Sequence, residues 1–290
     1  MRAAAFEYFA PRTVEEVLDL LARYGGDAKV LAGGQSLVPM MNMRLVRPAV
    51  VVDLNRVAGL GGVRVDGGNL RLGALVRQHA LERDGRIAAA APLLAEAAPV
   101  IGHLQTRARG TIAGSVVHAD PAAELPACMI ALDAVLHLRS ARAERVCRAE
   151  DFFRGLLATA LEADELLAEI EVPERPEPRT GHGFAEVARR HGDFALVGAC
   201  AVVALDAAGV CRHARLVIFG TGDAPRLARA TAALVGERPS ASRLAELGRA
   251  AADEIDAHGD LHATSEYRRR VAAGLAAQVL GSATARAEAA

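Results

Sequence analysis

The chain has 290 residues, of which 52% are hydrophobic and 24% are charged, and its formal net charge is −1. Disordered segments combine low hydrophobicity with high net charge, so this composition excludes disorder for most of the chain. The balance of 34 basic and 35 acidic residues argues against a nucleic-acid-binding protein, which needs a basic excess to neutralise phosphates. No apolar run reaches the roughly 20 residues of a transmembrane helix, and the first residues do not resemble a secretory signal. We therefore expect a cytoplasmic protein of about two domains.

The first 55 residues predict a small α/β unit. Thr13 followed by Glu16 three residues later is a capping-box pattern, and the apolar residues after it repeat at helical spacing. Short buried strands are predicted at 29–32 and 49–54. From residue 56 a second subdomain begins with a predicted hairpin at 63–72. Its further predicted elements are helices near 76–83, 86–99 and 122–131, a loop rich in Gly and Arg at 102–114, and strands near 134–138, 144–148 and 166–172.

A proline-rich segment at 173–178 predicts an extended linker, because proline fixes φ and lacks an N–H donor. We place the main domain boundary there, with residues 1–177 before it and residues 178–290 after it. The C-terminal region is predicted to be α+β, with an antiparallel meander followed by helices. Its predicted elements are strands at 184–189, 196–205 and 214–219, helices near 225–235, 240–254 and 263–280, and a frayed tail after Gly281.

Two segments of small residues are candidate phosphate-binding loops. Ala32-Gly33-Gly34-Gln35-Ser36 follows a buried strand, and glycine there lets the backbone bend sharply and approach a ligand. Successive N–H groups in such a turn bind anions such as a pyrophosphate. Thr111-Ile112-Ala113-Gly114-Ser115 is a second such segment, with Arg107 and Arg109 ahead of it. Each segment alone also fits an ordinary turn, and the arginines also fit a solvated surface.

Glu124 follows the second segment at the start of a predicted helix, and a carboxylate there suits the hydroxyls of a ribose or ribityl chain. His118, Asp120 and Glu124 also leave a metal site open, although a capped helix start after Pro121 explains them more simply. No Rossmann fingerprint, P-loop or nucleophile elbow is present. The four cysteines are scattered, so we predict no iron–sulfur cluster and no metal site on this chain. We find no acid/base constellation either, and therefore predict no catalytic residue.

The paired segments together resemble the two signatures of the FAD-binding medium subunit of molybdenum hydroxylases, the aerobic carbon monoxide dehydrogenase and xanthine dehydrogenase type. The resemblance extends over essentially the whole chain. The matching stretches are 31–41, 110–115, 118–121, Phe6-Glu7-Tyr8, Pro11, Asp151-Phe152-Phe153, Gly192-Asp193-Phe194 and Glu266-Tyr267-Arg268-Arg269.

The resemblance implies an α+β chain. It has a two-subdomain FAD-binding fold of the vanillyl-alcohol-oxidase (PCMH) type, then an α+β C-terminal domain with a three-stranded antiparallel sheet and helices. It also implies that both segments hold the dinucleotide, that Ile101 lies against the isoalloxazine, that Glu124 meets a sugar or ribityl hydroxyl, and that Leu167 packs near the adenine. Three departures matter. Ala113 replaces a usual Gly, which requires a negative φ there. Ala108 replaces a common Asn. Gln35 replaces the His typical of the carbon monoxide branch.

The function implied by the resemblance is electron transfer through noncovalently bound FAD. A large subunit with the molybdopterin cofactor and a small subunit with two [2Fe–2S] clusters are the expected partners, in a dimer of heterotrimers. Arg107 and Arg109 are candidates for docking the iron–sulfur chain. Two alternatives remain open at this stage, a self-sufficient flavin oxidase or reductase of the same superfamily and a nonenzymatic nucleotide-binding assembly subunit. We predict neither the substrate nor the final electron acceptor.

Overall fold

The first structural unit is a small parallel sheet with two helices. The computed structural model describes residues 2–174 and 179–290. Along the chain the first elements are β1 (Glu7–Phe9), α1 (Val14–Tyr24), β2 (Ala28–Leu31), α2 (Leu37–Asn42) and β3 (Val50–Asp53). The strand order is β1-β3-β2. The predicted capping of α1 is confirmed, since the hydroxyl of Thr13 accepts the N–H of Glu16, and β2 and β3 confirm the two predicted strands.

The second unit contains an antiparallel sheet with strand order β4-β5-β10-β6-β7. Its strands are β4 (Val63–Asp66), β5 (Asn69–Gly73), β6 (Val135–Arg139), β7 (Glu144–Arg148) and β10 (Leu166–Val172), with a small hairpin of β8 (Phe153–Gly155) and β9 (Ala158–Thr159). Its helices are α3 (Gln78–Leu81), α4 (Gly85–Ala90), α5 (Pro92–Ala97), α6 (Leu104–Arg109), α7 (Ile112–His118), α8 (Glu124–Ala131) and α9 (Ala149–Phe152).

Two sequence predictions for this unit are wrong. The single helix near 86–99 is interrupted because Ala91 leaves the helical conformation ahead of Pro92, as the residue before a proline tends to do. The loop at 102–114 contains α6 and α7 instead. The hydroxyl of Thr111 accepts the N–H of Gly114 and so caps α7, which the high glycine content of the segment concealed.

The third unit is an antiparallel sheet covered by two helices. Its strands are β11 (Arg179–Ala188), β12 (Ala195–Leu205), β13 (Cys211–Phe219) and β14 (Arg226–Leu227), and its helices are α10 (Ala241–Asp253) and α11 (Ser265–Ala289). The three predicted strands form the expected meander, and the two-residue β14 extends its edge. The helix predicted near 225–235 is wrong, because β14 and a 3-10 segment at Arg229–Leu234 occupy that stretch.

The frayed tail after Gly281 is also wrong, because α11 continues to Ala289. Ala283 and Ala287 in this last part are fully buried. A Cβ atom built on Gly181 of β11 would overlap the backbone of both residues. The small side chains of the tail therefore pack closely on a glycine of the sheet, and composition alone does not reveal this contact.

A shared apolar core joins the C-terminal sheet to the second unit. This cluster includes Ile112 and Leu125 from the second unit and Cys200, Val217 and Phe219 from β12 and β13. The predicted boundary at residues 177 and 178 lies outside the described residues and stays a prediction. Within residues 2–174 and 179–290, no helix is both long and apolar enough to cross a membrane.

An ion-pair cluster lies beside this shared core. Burial alone would raise the pKa of Glu96 on α5, but hydrogen bonds from His182 of β11 and Arg286 of α11 lower it to about 2. Nη1 of Arg286 lies 2.5 Å from the Glu96 carboxylate, and Nε2 of His182 lies 3.2 Å from it. The cluster therefore ties α5 to both β11 and α11.

Candidate cofactor-binding site

The two small-residue segments lie directly against each other. Gly33 is buried, and a Cβ atom built on it would fall 2.5 Å from the carbonyl oxygen of Arg109 and 2.7 Å from Cα of Gly110. A Cβ atom built on Gly114 would lie 3.9 Å from Cβ of Ala32. The backbone of the first segment thus approaches the residues directly ahead of the second segment more closely than a side chain at Gly33 would allow.

A chain of hydrogen bonds braces this contact from behind. Nδ2 of Asn55 donates to the carbonyl oxygen of Ala32 at 2.8 Å, and Nη2 of Arg77 donates to Oδ1 of Asn55 at 2.6 Å. Nη1 of Arg77 donates to the carbonyl oxygen of Arg109. The Asn55–Arg77 brace therefore joins Ala32 of the first segment to Arg109, which lies just ahead of the second segment. Sequence reasoning missed it, because each residue lies more than 20 positions from the carbonyl that it holds.

The first segment presents polar groups that its own fold leaves available. Gly34 has a left-handed φ of 72°, which disfavours any side chain there. The amide of Gln35 donates back to the carbonyl oxygen of Gly33 at 3.0 Å. Ser36 occupies the N-cap position of α2, but its hydroxyl makes no capping hydrogen bond. That hydroxyl can therefore bind a ligand.

The second segment is the first turn of α7, not a loop. The side chain of Ile112 is fully buried and that of Ala113 is nearly so, which leaves only their backbones to meet a ligand. Ala113 is helical and has a negative φ, so alanine meets the condition for replacing glycine. Gly114 is exposed and Ser115 is half-buried on the same turn.

Glu124 begins α8 and is only 4% exposed. Burial raises its pKa to about 7, and the nearby charge of Asp120 adds to the increase. A carboxyl group with this pKa both donates and accepts hydrogen bonds near neutral pH, which suits a sugar hydroxyl. The predicted cap is wrong in its detail, because Asp120 accepts the N–H of Ala122 and Ala123 is the N-cap of α8. In the described ranges, no three His, Cys, Asp or Glu side chains form a metal-binding group.

Ile101 and Leu167 lie farther along the fold. Ile101 follows a 3-10 turn and is 7% exposed. Leu167 lies on β10, next to a bulge, and is 2% exposed. β10 packs against α7, and Leu167 belongs to the same buried apolar cluster as Ile112 and Ala113 of the second segment.

The docking role predicted for Arg107 is contradicted by its burial. Its side chain is 9% exposed and pairs with Glu82, with Nε 2.5 Å from Oε1. Arg109, on the opposite side of α6, is exposed and stays a candidate. Burial lowers the pKa of Arg77, and the nearby charge of Arg109 lowers it further. Arg77 also donates to the carbonyl oxygen of Arg109, so both guanidinium groups lie near the contact of the two segments.

Comparison with protein families covers nearly the whole chain. Residues 4–175 match the FAD binding domain in molybdopterin dehydrogenase, and residues 182–283 match the CO dehydrogenase flavoprotein C-terminal domain. The chain belongs to this family. The fold class and the FAD cofactor are thereby confirmed. The prediction of an FAD subunit of the molybdenum hydroxylases is favoured over both alternatives.

Individual members of the family are similar over their full length. The chain is 39% identical over 288 residues to 6-hydroxypseudooxynicotine dehydrogenase complex subunit alpha of Paenarthrobacter nicotinovorans, covering 99% of this chain and 97% of that one. It is 36% identical over 288 residues to caffeine dehydrogenase subunit beta of Pseudomonas sp. (strain CBB1), with the same coverage of 99% and 97%. A solved chain of carbon monoxide dehydrogenase from Hydrogenophaga pseudoflava, which lacks the Mo-pyranopterin moiety, gives a TM-score of 0.95 at 35% identity and covers 99% of both chains.

The described residues fit the FAD of this family. Gly33 lets the first segment pack closely on the backbone of Arg109 and Gly110, and the hydroxyl of Ser36 is not used by its own helix. Arg77 and Arg109 supply positive charge beside a position where two phosphates would bind. Backbone amides, a hydroxyl and nearby cations together form the donor set that a pyrophosphate needs.

Proposed function

We propose that this chain is the electron-relay subunit of a molybdenum hydroxylase complex. A large subunit binds the molybdenum cofactor, and a small subunit carries two [2Fe–2S] clusters. Electrons pass from the clusters to the FAD on this chain and then to an external acceptor. The observation that carries the proposal is the braced contact of the two segments, in a chain that matches FAD subunits over nearly its whole length.

The names of the relatives support a relay role over substrate selection. Their complexes are named for 6-hydroxypseudooxynicotine, caffeine and carbon monoxide, which share little chemistry. A subunit common to all of them serves a step that they have in common, and electron transfer is such a step. Gln35 stands where the carbon monoxide branch has His, so we further propose that this complex oxidises a different substrate.

The residues of this chain bind and orient the cofactor. Backbone amides at Gly33 and Gly34, the hydroxyl of Ser36 and the first turn of α7 would bind the pyrophosphate. Glu124 would hold a sugar hydroxyl. When bound, FAD would supply the redox chemistry, because its isoalloxazine can carry one or two electrons. The remaining proposed contacts are those of Ala32, Gln35, Ile101, Thr111, Ile112, Ala113, Gly114, Ser115 and Leu167.

Anaerobic mixing tests the relay directly. The purified full chain should be yellow and reducible by dithionite, but no hydroxylase substrate should bleach its flavin band. Bleaching should begin when the molybdenum and iron–sulfur subunits are added with substrate. Substrate-dependent bleaching by this chain alone would favour a self-sufficient flavoenzyme. The mass of the reconstituted particle in solution tests the proposed dimer of heterotrimers, and fractionation of the source cells tests the proposed cytoplasmic location.

A further inference from the structure

Arg107 is a buried arginine whose side chain makes three contacts within its own chain. Nη1 donates to the carbonyl oxygens of Ile101 at 3.0 Å and Gly102 at 3.1 Å. Nε donates to Oε1 of Glu82 at 2.5 Å. Glu82 directly follows α3, whereas Arg107 lies on α6, so one guanidinium joins both helices to the segment ahead of α6. The planar fork of arginine serves such acceptors at fixed angles, which the single ammonium of lysine does not.

These contacts fix the direction of two consecutive peptide groups. Every described peptide bond is trans, so the N–H groups of Gly102 and His103 point away from the carbonyls that Arg107 holds. Gly102 has a left-handed φ of 48°, which lets both carbonyls turn toward one guanidinium. A Cβ atom built on Gly192 would lie 3.0 Å from the carbonyl oxygen of Gly102, so the β11–β12 connection packs against the same segment.

Arg107 acts on a different part of the site from the Asn55–Arg77 brace. That brace holds Ala32 and Arg109, which belong to the contact proposed for the pyrophosphate. Among the proposed FAD contacts, Arg107 holds Ile101, which the resemblance implies lies against the isoalloxazine, and it also holds the neighbouring Gly102. The two sets of hydrogen bonds share no donor and no acceptor, although both include a residue of α6.

We propose that Arg107 is a positioning residue that holds Ile101 and Gly102 in the orientation required by the isoalloxazine half of FAD. Glu82 fixes the guanidinium and balances its charge, so the effect on the cofactor comes from peptide orientation and not from a net charge. This inference rests on the proposed function, because it uses the proposed placement of Ile101. It goes further by assigning the support of the flavin half to one buried ion pair.

Two ligands of different length test the assignment. The full chain is freed of flavin and titrated with FAD and, separately, with ADP, which occupies only the nucleotide half. Arg107→Lys should raise the FAD dissociation constant roughly tenfold, or about 1.4 kcal/mol, and leave that of ADP within about twofold. The visible circular dichroism of the bound flavin should change as well. Arg83→Lys is the matched control, since Arg83 is exposed and adjacent to Glu82.

Arg77→Lys is the reciprocal comparison, because it should weaken ADP as well as FAD. If Arg107→Lys weakens both ligands equally, or neither, the inference is wrong. Should that variant fail to fold, Glu82→Gln combined with Arg107→Gln removes both charges together and avoids a lone buried charge. The same ligand selectivity is expected of the double variant. Failure of the relay proposal is distinguishable, since it appears in the mixing experiment with the wild-type chain.

Discussion

Replacing Gly33 with alanine should weaken FAD binding without unfolding the chain. The added Cβ would lie 2.5 Å from the carbonyl oxygen of Arg109, whereas ordinary contact begins at 3.4 Å, so the two segments must separate by almost 1 Å. Inserting one carbon into a close contact costs about 1–3 kcal/mol. Gly33 does not have a left-handed φ, so the effect is steric alone. If the added Cβ destabilises only the FAD-bound state by this full amount, the FAD dissociation constant rises roughly 5- to 150-fold.

The assay is quenching of flavin fluorescence as the flavin-free chain is titrated with FAD, with thermal melting measured in parallel. Gly26→Ala is the control, because no atom lies within 4 Å of a Cβ built there and its φ is also not left-handed. The control should keep the wild-type affinity. If Gly33→Ala binds FAD as tightly as Gly26→Ala, the close contact of the two segments is not part of the cofactor site.

Three further predictions concern binding and pH. Gly34→Val, at a φ of 72°, should purify folded but with much less flavin, as judged by the ratio of visible to ultraviolet absorbance. The folded pKa of Glu124, about 7, exceeds its ordinary value of 4.5, so its contribution to stability is complete below pH 4.5 and is lost as the pH rises to 7. In the flavin-free chain, the free energy of unfolding should therefore fall by about 3 kcal/mol less between pH 4.5 and pH 7 in Glu124→Gln than in the wild type. Urea unfolding at several pH values measures this difference. Glu96 has the opposite sign, because its folded pKa of about 2 lies below its ordinary value of 4.5. Its contribution to stability is complete above pH 4.5 and is lost as the pH falls toward 2. In Glu96→Gln the melting temperature should therefore fall less steeply between pH 4.5 and pH 2 than in the wild type.

Local patterns in the sequence predicted the elements whose stability is local. The cap at Thr13, the hairpin at 63–72 and the three long C-terminal strands depend on capping, turn residues and alternation, all of which are visible in one stretch of chain. The paired small-residue segments were also recognisable, because close approach to a ligand restricts residue type. The wrong predictions concern elements whose limits depend on residues that are distant in the sequence. Helix α11 continues past Gly281 because a strand glycine about 100 residues earlier receives it.

The orientation of a polar side chain was the hardest feature to predict. Arg107 and Arg109 are two residues apart on a short helix, so they point in different directions once α6 forms. In a loop the two arginines would be equivalent, whereas the structure buries Arg107 and exposes Arg109. The Asn55–Arg77 brace was missed for a related reason. Its partners are backbone carbonyls, which carry no side-chain signal in the sequence.

The shared core has a consequence for cooperativity. Because Val217 and Phe219 of the C-terminal sheet share one buried cluster with Leu125 of α8, unfolding either region would expose apolar surface of the other. We expect calorimetry to show a single unfolding transition for the whole chain, and FAD to raise its midpoint as one unit by mass action. Amide hydrogens of β12 and β13 should therefore exchange more slowly when flavin is bound, although none of the proposed FAD contacts lies on those strands.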